Sequence, residues 1–229
     1  VKANLSYELK PAIFIEKTIV KQVYMDYYLS PIHTQRFDLE IKNSQFITTV
    51  SRTKGREAAK AFIDEIRQRY PDANHHCSAF IAGAPNNAHL WDQSDDGEPK
   101  GTAGKPMMNV LQHSDFGETT VVVTRFFGGI KLGAGGLVRA YSQAVQEALS
   151  QTIYESVYPR SPIQLKITYP LLGKVEYWLE QSDIEITNKT YSDSVVIDLA
   201  VIERTWPEQK VILTDLCQGS LTLIEPDKA

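Results

Sequence analysis

Three short stretches of the sequence concentrate side chains that can do chemistry. His75-His76-Cys77 sets two imidazoles beside a thiol. Ser94–Pro106 holds Asp95, Asp96 and Glu98 almost side by side, followed by Thr102 and Lys105. Arg125–Gly136 strings Gly128, Gly129, Gly133, Gly135 and Gly136 around Lys131, with Arg139 just beyond. Nine of the 13 glycines fall between Gly97 and Gly136, a density that implies special backbone geometry there.

The third stretch leaves a β-branched run and enters a helix start through glycine, an arrangement that turns amide N–H groups toward an anion. That helix has no Ser, Thr, Asp or Asn to cap it and no acid in its first turn, and Arg139 stands against its dipole. A bound phosphate answers both features. The phosphate- or RNA-binding candidates are therefore Lys105, Arg125, Lys131 and Arg139 by charge, and Gly128, Gly129, Gly133, Gly135 and Gly136 by backbone. The competing reading is that the glycines only let strand and helix pack closely. Nucleotide fingerprints do not fit: Val138 stands where G-x-G-x-x-G needs glycine, and Pro106 where a P-loop needs Ser or Thr.

His75, His76, Asp95, Asp96, Glu98 and Thr102 complete the site candidates. Read as a calcium loop from Asp92, the acidic stretch puts Ala103 where a bidentate carboxylate is required, which excludes calcium. The carboxylates either hold Mg²⁺ together with a substrate phosphate or form an acidic turn paired with Lys100, Lys105 or Arg125. Strand alternation sends His75 and Cys77 to one face and His76 to the other. His89, His113 and Cys217 lack zinc-ligand spacing, so packed, hydrogen-bonded histidines are expected rather than a zinc site. Cys77, inside an alternating strand, reads as a small buried hydrophobe. Phe126 and Phe127, at a strand end, read as core. No metal and no cofactor is expected.

Positioning these residues requires ordered elements. Ala59, Phe62, Ile63, Ile66 and Tyr70 recur at helical spacing over 56–70, and Pro71 ends the run. Residues 75–82 read as a strand, 83–104 as a long loop, 106–112 as a short helix, 119–127 as a central strand and 137–149 as a helix. Pro159 and Pro162 mark a linker. Beyond it the order is β-α-β-β-α-β, the ferredoxin-like arrangement. Residues 1–34 read as a poorly specified extension, with order starting near Phe37, so the expected organisation is 1–34, a first domain over 35–155 and a second over 160–229.

The 229 residues, 42% hydrophobic and 23% charged, are those of a globular α+β chain, with no apolar run that spans a bilayer and no signal peptide. A cytoplasmic setting and no membrane partner are expected. Net charge is −4, but residues 1–149 carry 17 basic and 16 acidic side chains, against 7 and 12 in 150–229. Any grip on a polyanion belongs to the first part.

At Asn74–Cys77, Ser94–Pro106 and Arg125–Tyr141 the sequence resembles the IMPACT family, in its bacterial YigZ-type branch. The resemblance covers roughly residues 37–225. It implies two α/β-sandwich domains: an N-terminal fold like domain 2 of ribosomal protein S5, and a C-terminal unit like the ferredoxin-like domains of the ribosomal translocation factor. Eukaryotic relatives regulate translation by competing for the activator of a stress kinase, through an N-terminal interaction domain not recognised in this sequence. That partner is not expected to carry over. The expectation is a non-enzymatic, translation-associated regulator that binds RNA, the ribosome or a protein partner through the glycine-rich surface. Two rivals stand beside it: a Mg²⁺-dependent enzyme acting on a phosphorylated small molecule or nucleotide, with His75 or His76 as acid/base, and an interaction module whose glycines serve packing alone.

Overall fold

A computed structural model describes residues 27–225. The elements in chain order are β1 (Tyr28–Pro31), β2 (Gln35–Ile41), β3 (Ser44–Arg52), α1 (Arg56–Arg69), β4 (His75–Ile81), β5 (Trp91–Ser94), α2 (Gly104–Gln112), β6 (Thr119–Phe126) and α3 (Ala134–Gln151). They are followed by β7 (Tyr154–Val157), β8 (Arg160–Ile167), α4 (Tyr169–Glu180), β9 (Glu185–Tyr191), β10 (Val195–Ile202), α5 (Trp206–Leu216) and β11 (Leu221–Ile224). The architecture is α+β, built on antiparallel sheets.

The first sheet has the order β2-β3-β6-β4-β5 and is covered on both faces. Val121 and Val123 of β6 pack with Phe46, Cys77, Met107, Leu111, Tyr141 and Val145, the side that carries α2 and α3. Val122 packs with Phe80 and with Ala59, Phe62, Ile63 and Ile66 of α1 on the other side. The β-branched run of β6 is continuous because both of its faces are interior, and each such valine contributes about 1.5–3 kcal/mol on burial. In β4, Cys77, Ala79 and Ile81 join the α2/α3 side while Phe80 joins the α1 side. His75 shares the first face and His76 the second, as the alternation requires.

The second sheet, β11-β8-β10-β9, realises the β-α-β-β-α-β order. Ile163, Leu165 and Ile167 alternate with exposed residues along β8 and meet Val195, Ile197, Leu199 and Val201 of β10, with Val175, Leu179 and Leu213 of α4 and α5 above them. No helix among the described residues is long and apolar enough to cross a membrane.

Four sequence expectations change. The 83–104 loop contains a 3-10 turn at Ala88–Leu90 and the strand β5, which pairs with β4. Helix α3 starts at Ala134 rather than 137, because Gly133 turns the chain into it directly. Pro162 lies within β8, facing away from the core and opposite Ala200, instead of in a linker. The extension expected over 1–34 ends in β1, whose Tyr28 to Pro31 pair with Val157 to Tyr154, so order begins before Phe37. The rest of that expected extension, residues 1–26, lies outside the described residues.

Candidate functional site

The acidic cluster does not converge. Its three carboxylates take three different partners. The Asp95 carboxylate accepts from the backbone N–H groups of Gly101 (2.7 Å), Ala103 (3.0 Å) and Gly104 (2.8 Å), filling the start of α2. Burial alone would raise its pKa, but the three amides outweigh that and hold it below the usual carboxylate value. Asp96 accepts from Arg67 (2.9 Å) and from the His76 amide (2.6 Å). Glu98, buried, accepts from Arg125 and from the Tyr141 hydroxyl (2.9 Å). Among the described residues no three His, Cys, Asp or Glu side chains are grouped to hold a metal ion. Each carboxylate is committed to a different internal donor, so the three do not form one shared site for Mg²⁺. The acidic-turn reading is the better one.

The imidazoles are held by backbone carbonyls. Asp96 C=O lies 2.8 Å from His75 Nδ1, and Tyr70 C=O lies 3.0 Å from His76 Nε2. A carbonyl only accepts, so Nδ1 carries the proton in His75 and leaves Nε2 open. Cys77 Sγ lies 3.0 Å from Asp95 C=O and 3.2 Å from the Tyr141 hydroxyl. Burial, reinforced by the charges of Glu98, Asp96 and Asp95 and only partly offset by Tyr141, pushes its thiol up to about 12. A thiol so protonated is no nucleophile at neutral pH. Burial likewise raises the Tyr141 phenol, with Cys77 and Glu98 adding to the effect.

Arg125 departs from its expected role. Its side chain is buried and spends its charge on Glu98, while the guanidinium lies 5.5 Å from the Phe46 ring centre and 5.7 Å from that of Phe127. Phe127, expected in the core, is 45% exposed and covers this cation from outside. Its backbone N–H donates to Asn74 Oδ1 (2.7 Å), which fixes the chain where it leaves β6.

Above this layer opens a cleft of about 470 Å³, lined by Asn74, His75, Glu98, Arg125, Phe127 and Lys131 together with Gly133, Ala134 and Leu137 at the start of α3. The two glycine-lined helix starts differ. The α2 start is filled by Asp95, whereas Gly133 (φ 72°) begins α3 with no side-chain cap and no acidic residue in the first turn. Lys131 is exposed and makes no ion pair among the described residues.

The remaining candidates scatter. Gly128 donates to Ser44 Oγ (3.1 Å) and serves packing, while Gly129 borders open space. Gly135 and Gly136 lie in the first turn of α3, where the Arg139 guanidinium reaches back to Gly135. Lys105 is exposed on α2 and does not line the cleft. Thr102 is buried and donates to Pro99 C=O (2.6 Å), bracing the loop. Residue typing missed Asn74, Phe127 and Tyr141 as site members. The signal for Tyr141 was a hydroxyl on the apolar stripe of α3, which must find a buried partner.

The Impact N-terminal domain family matches residues 42–149, and a domain of unknown function, DUF1949, matches residues 165–220. The chain is 43% identical over 200 residues to the IMPACT family member YigZ of Escherichia coli (strain K12), covering 87% of this chain and 98% of that one. It is 38% identical over 198 residues to the IMPACT family member YvyE of Bacillus subtilis (strain 168), covering 82% and 89%. A crystal structure described only as that of a hypothetical protein superposes with a TM-score of 0.75 at 42% identity, over 90% of this chain and all of that one. With the tandem domains matched and relatives aligned over nearly their whole length, this chain belongs to the IMPACT family.

Proposed function

We propose that this protein is a translation-associated regulator that binds RNA by seating a phosphate at the N-terminus of α3. The observation that carries the reading is the contrast between two helix starts: Asp95 accepts from Ala103 and Gly104 at the start of α2, whereas α3 follows Gly133 with no side-chain cap, in a cleft beside Lys131, which makes no ion pair among the described residues. First-turn amides and the helix dipole favour an anion by about 0.3–2 kcal/mol, and Lys131 adds a mobile charge. Arg125 contributes shape rather than net charge, since Glu98 neutralises it. Membership of the IMPACT family supports the translational setting.

A seat at one helix start, with Lys131 beside it and Arg139 reaching back over the first turn, engages few phosphates. Affinity for a short single-stranded RNA should therefore fall with salt at a shallow log–log slope of about −0.7 per phosphate contacted, and Lys131→Glu should weaken it further. Fluorescence anisotropy across a salt series tests this. Binding that ignores both salt and Lys131→Glu would overturn the phosphate seat and point to a protein partner instead. Absence of RNA binding would overturn the RNA reading itself.

A further inference from the structure

The cleft contains two hydrogen-bond acceptors that the protein leaves open. His75 Nδ1 is occupied by Asp96 C=O, so in the neutral ring Nε2 is a bare lone pair. Glu98 Oε1 takes both internal donors, Arg125 and Tyr141, and among the described residues Oε2 receives none. The two open atoms stand 3.9 Å apart, beyond hydrogen-bond reach of each other. Both residues line the cleft that contains Lys131 and the α3 start. Glu98 as a whole is 8% exposed, but Oε2 is not among the side-chain atoms sealed from solvent without a partner, so it is open to a ligand in the cleft.

Such a pair selects a ligand group that donates. A phosphate does not suit it, because its oxygens accept and its charge repels Glu98. An anion seated at α3 must therefore bring a donor on the adjoining part of the same molecule. Given the RNA reading, on which this inference rests, the donor attached to the backbone next to every phosphate is the ribose 2′-hydroxyl, the group DNA lacks. We propose that a ribose 2′-hydroxyl beside the phosphate seat donates its single proton to His75 Nε2, next to Glu98 Oε2, and that the cleft thereby prefers RNA to DNA. His75 is the adjustable member, since Glu98 also supports Arg125.

Oligouridylate and oligodeoxyuridylate of equal length differ only in the 2′-hydroxyl. Anisotropy titrations of both at low salt should show the wild-type protein binding the ribo form roughly 10-fold more tightly, the scale of one hydrogen bond to an ionised or polarised acceptor. His75→Phe, which keeps an aromatic ring but removes both Nε2 and the Nδ1–H bond to Asp96 C=O, should bring the ratio toward one while affinity for the deoxy form holds. Thermal melting of His75→Phe establishes that it is folded. Equal wild-type affinities for the two strands, or a ratio unchanged in His75→Phe, would overturn the 2′-hydroxyl assignment and leave the phosphate seat standing. No binding of either strand would overturn both.

Discussion

Glu98 and Arg125, 27 residues apart in sequence, form an ion pair whose side chains are 4% and 7% exposed, beneath the Phe127 ring and against Phe46. A buried pair of this kind adds little net stability, yet losing one partner strands the other charge. Glu98→Ala should lower the stability measured by urea denaturation by about 3–5 kcal/mol. The double variant Glu98→Ala, Arg125→Met should recover part of that loss, because no charge is left buried. A single-variant loss below about 1 kcal/mol would show that water reaches the pair.

Asp95 gives the acidic limb of stability. Its folded pKa lies below the unfolded value because Gly101, Ala103 and Gly104 donate to the ionised form more than burial disfavours it. Its contribution is therefore complete above the unfolded pKa and is lost as pH falls through the folded one. Asp95→Ala should cost about 1–2 kcal/mol at pH 7, as a lost helix cap does, and the gap from wild type should narrow on acidification below about pH 4. Melting curves across pH 3–7 decide it. A gap that stays constant would mean that the carboxylate is not titrating in this range.

Gly128 and Gly129 are neighbours with opposite constraints. A Cβ on Gly128 would stand 2.0 Å from the Asn43 backbone, while one on Gly129 meets nothing within 4 Å but must tolerate φ 84°. Gly129→Ala should cost about 1–2 kcal/mol, the left-handed penalty. Gly128→Ala should exceed about 4 kcal/mol, because backbone has to move. Denaturation midpoints of the pair check the order. The reverse ranking would mean that β3 can shift away from the turn.

Cys77 and Cys217 are both buried, with thiols raised above their ordinary value by burial, Cys77 to about 12. Neither should react with a thiol-specific reagent in the native protein at pH 8, and both should react promptly in denaturant. Rapid labelling of Cys77 in the folded state would contradict its place under Tyr141.

Periodicity made much of the fold legible. The stripe of α1 and the β-branched run of β6 identify themselves because burial on one or two faces leaves a fixed spacing. The second unit was readable for the same reason: β8 and β10 alternate strictly against one core. Strand β5 was hidden, since an edge strand of four residues with one apolar member carries no period. Strand β1 was hidden likewise, because its partner β7 lies more than a hundred residues away.

The site divides along the same line. By itself the sequence determined which residue types gather there: the acidic trio, the paired histidines, the glycines with Lys131, and the opposite faces of His75 and His76, which the pleat of a strand imposes. Only the tertiary structure decided how their charges and hydrogen bonds are spent. Asp95 closes one helix start and leaves the other open, Glu98 neutralises Arg125, and among the described residues His75 Nε2 and Glu98 Oε2 receive no donor. Those assignments depend on which groups long loops bring within 3 Å of each other. Hydrogen bonds and ion pairs are settled at that distance, and spacing along a chain does not encode it.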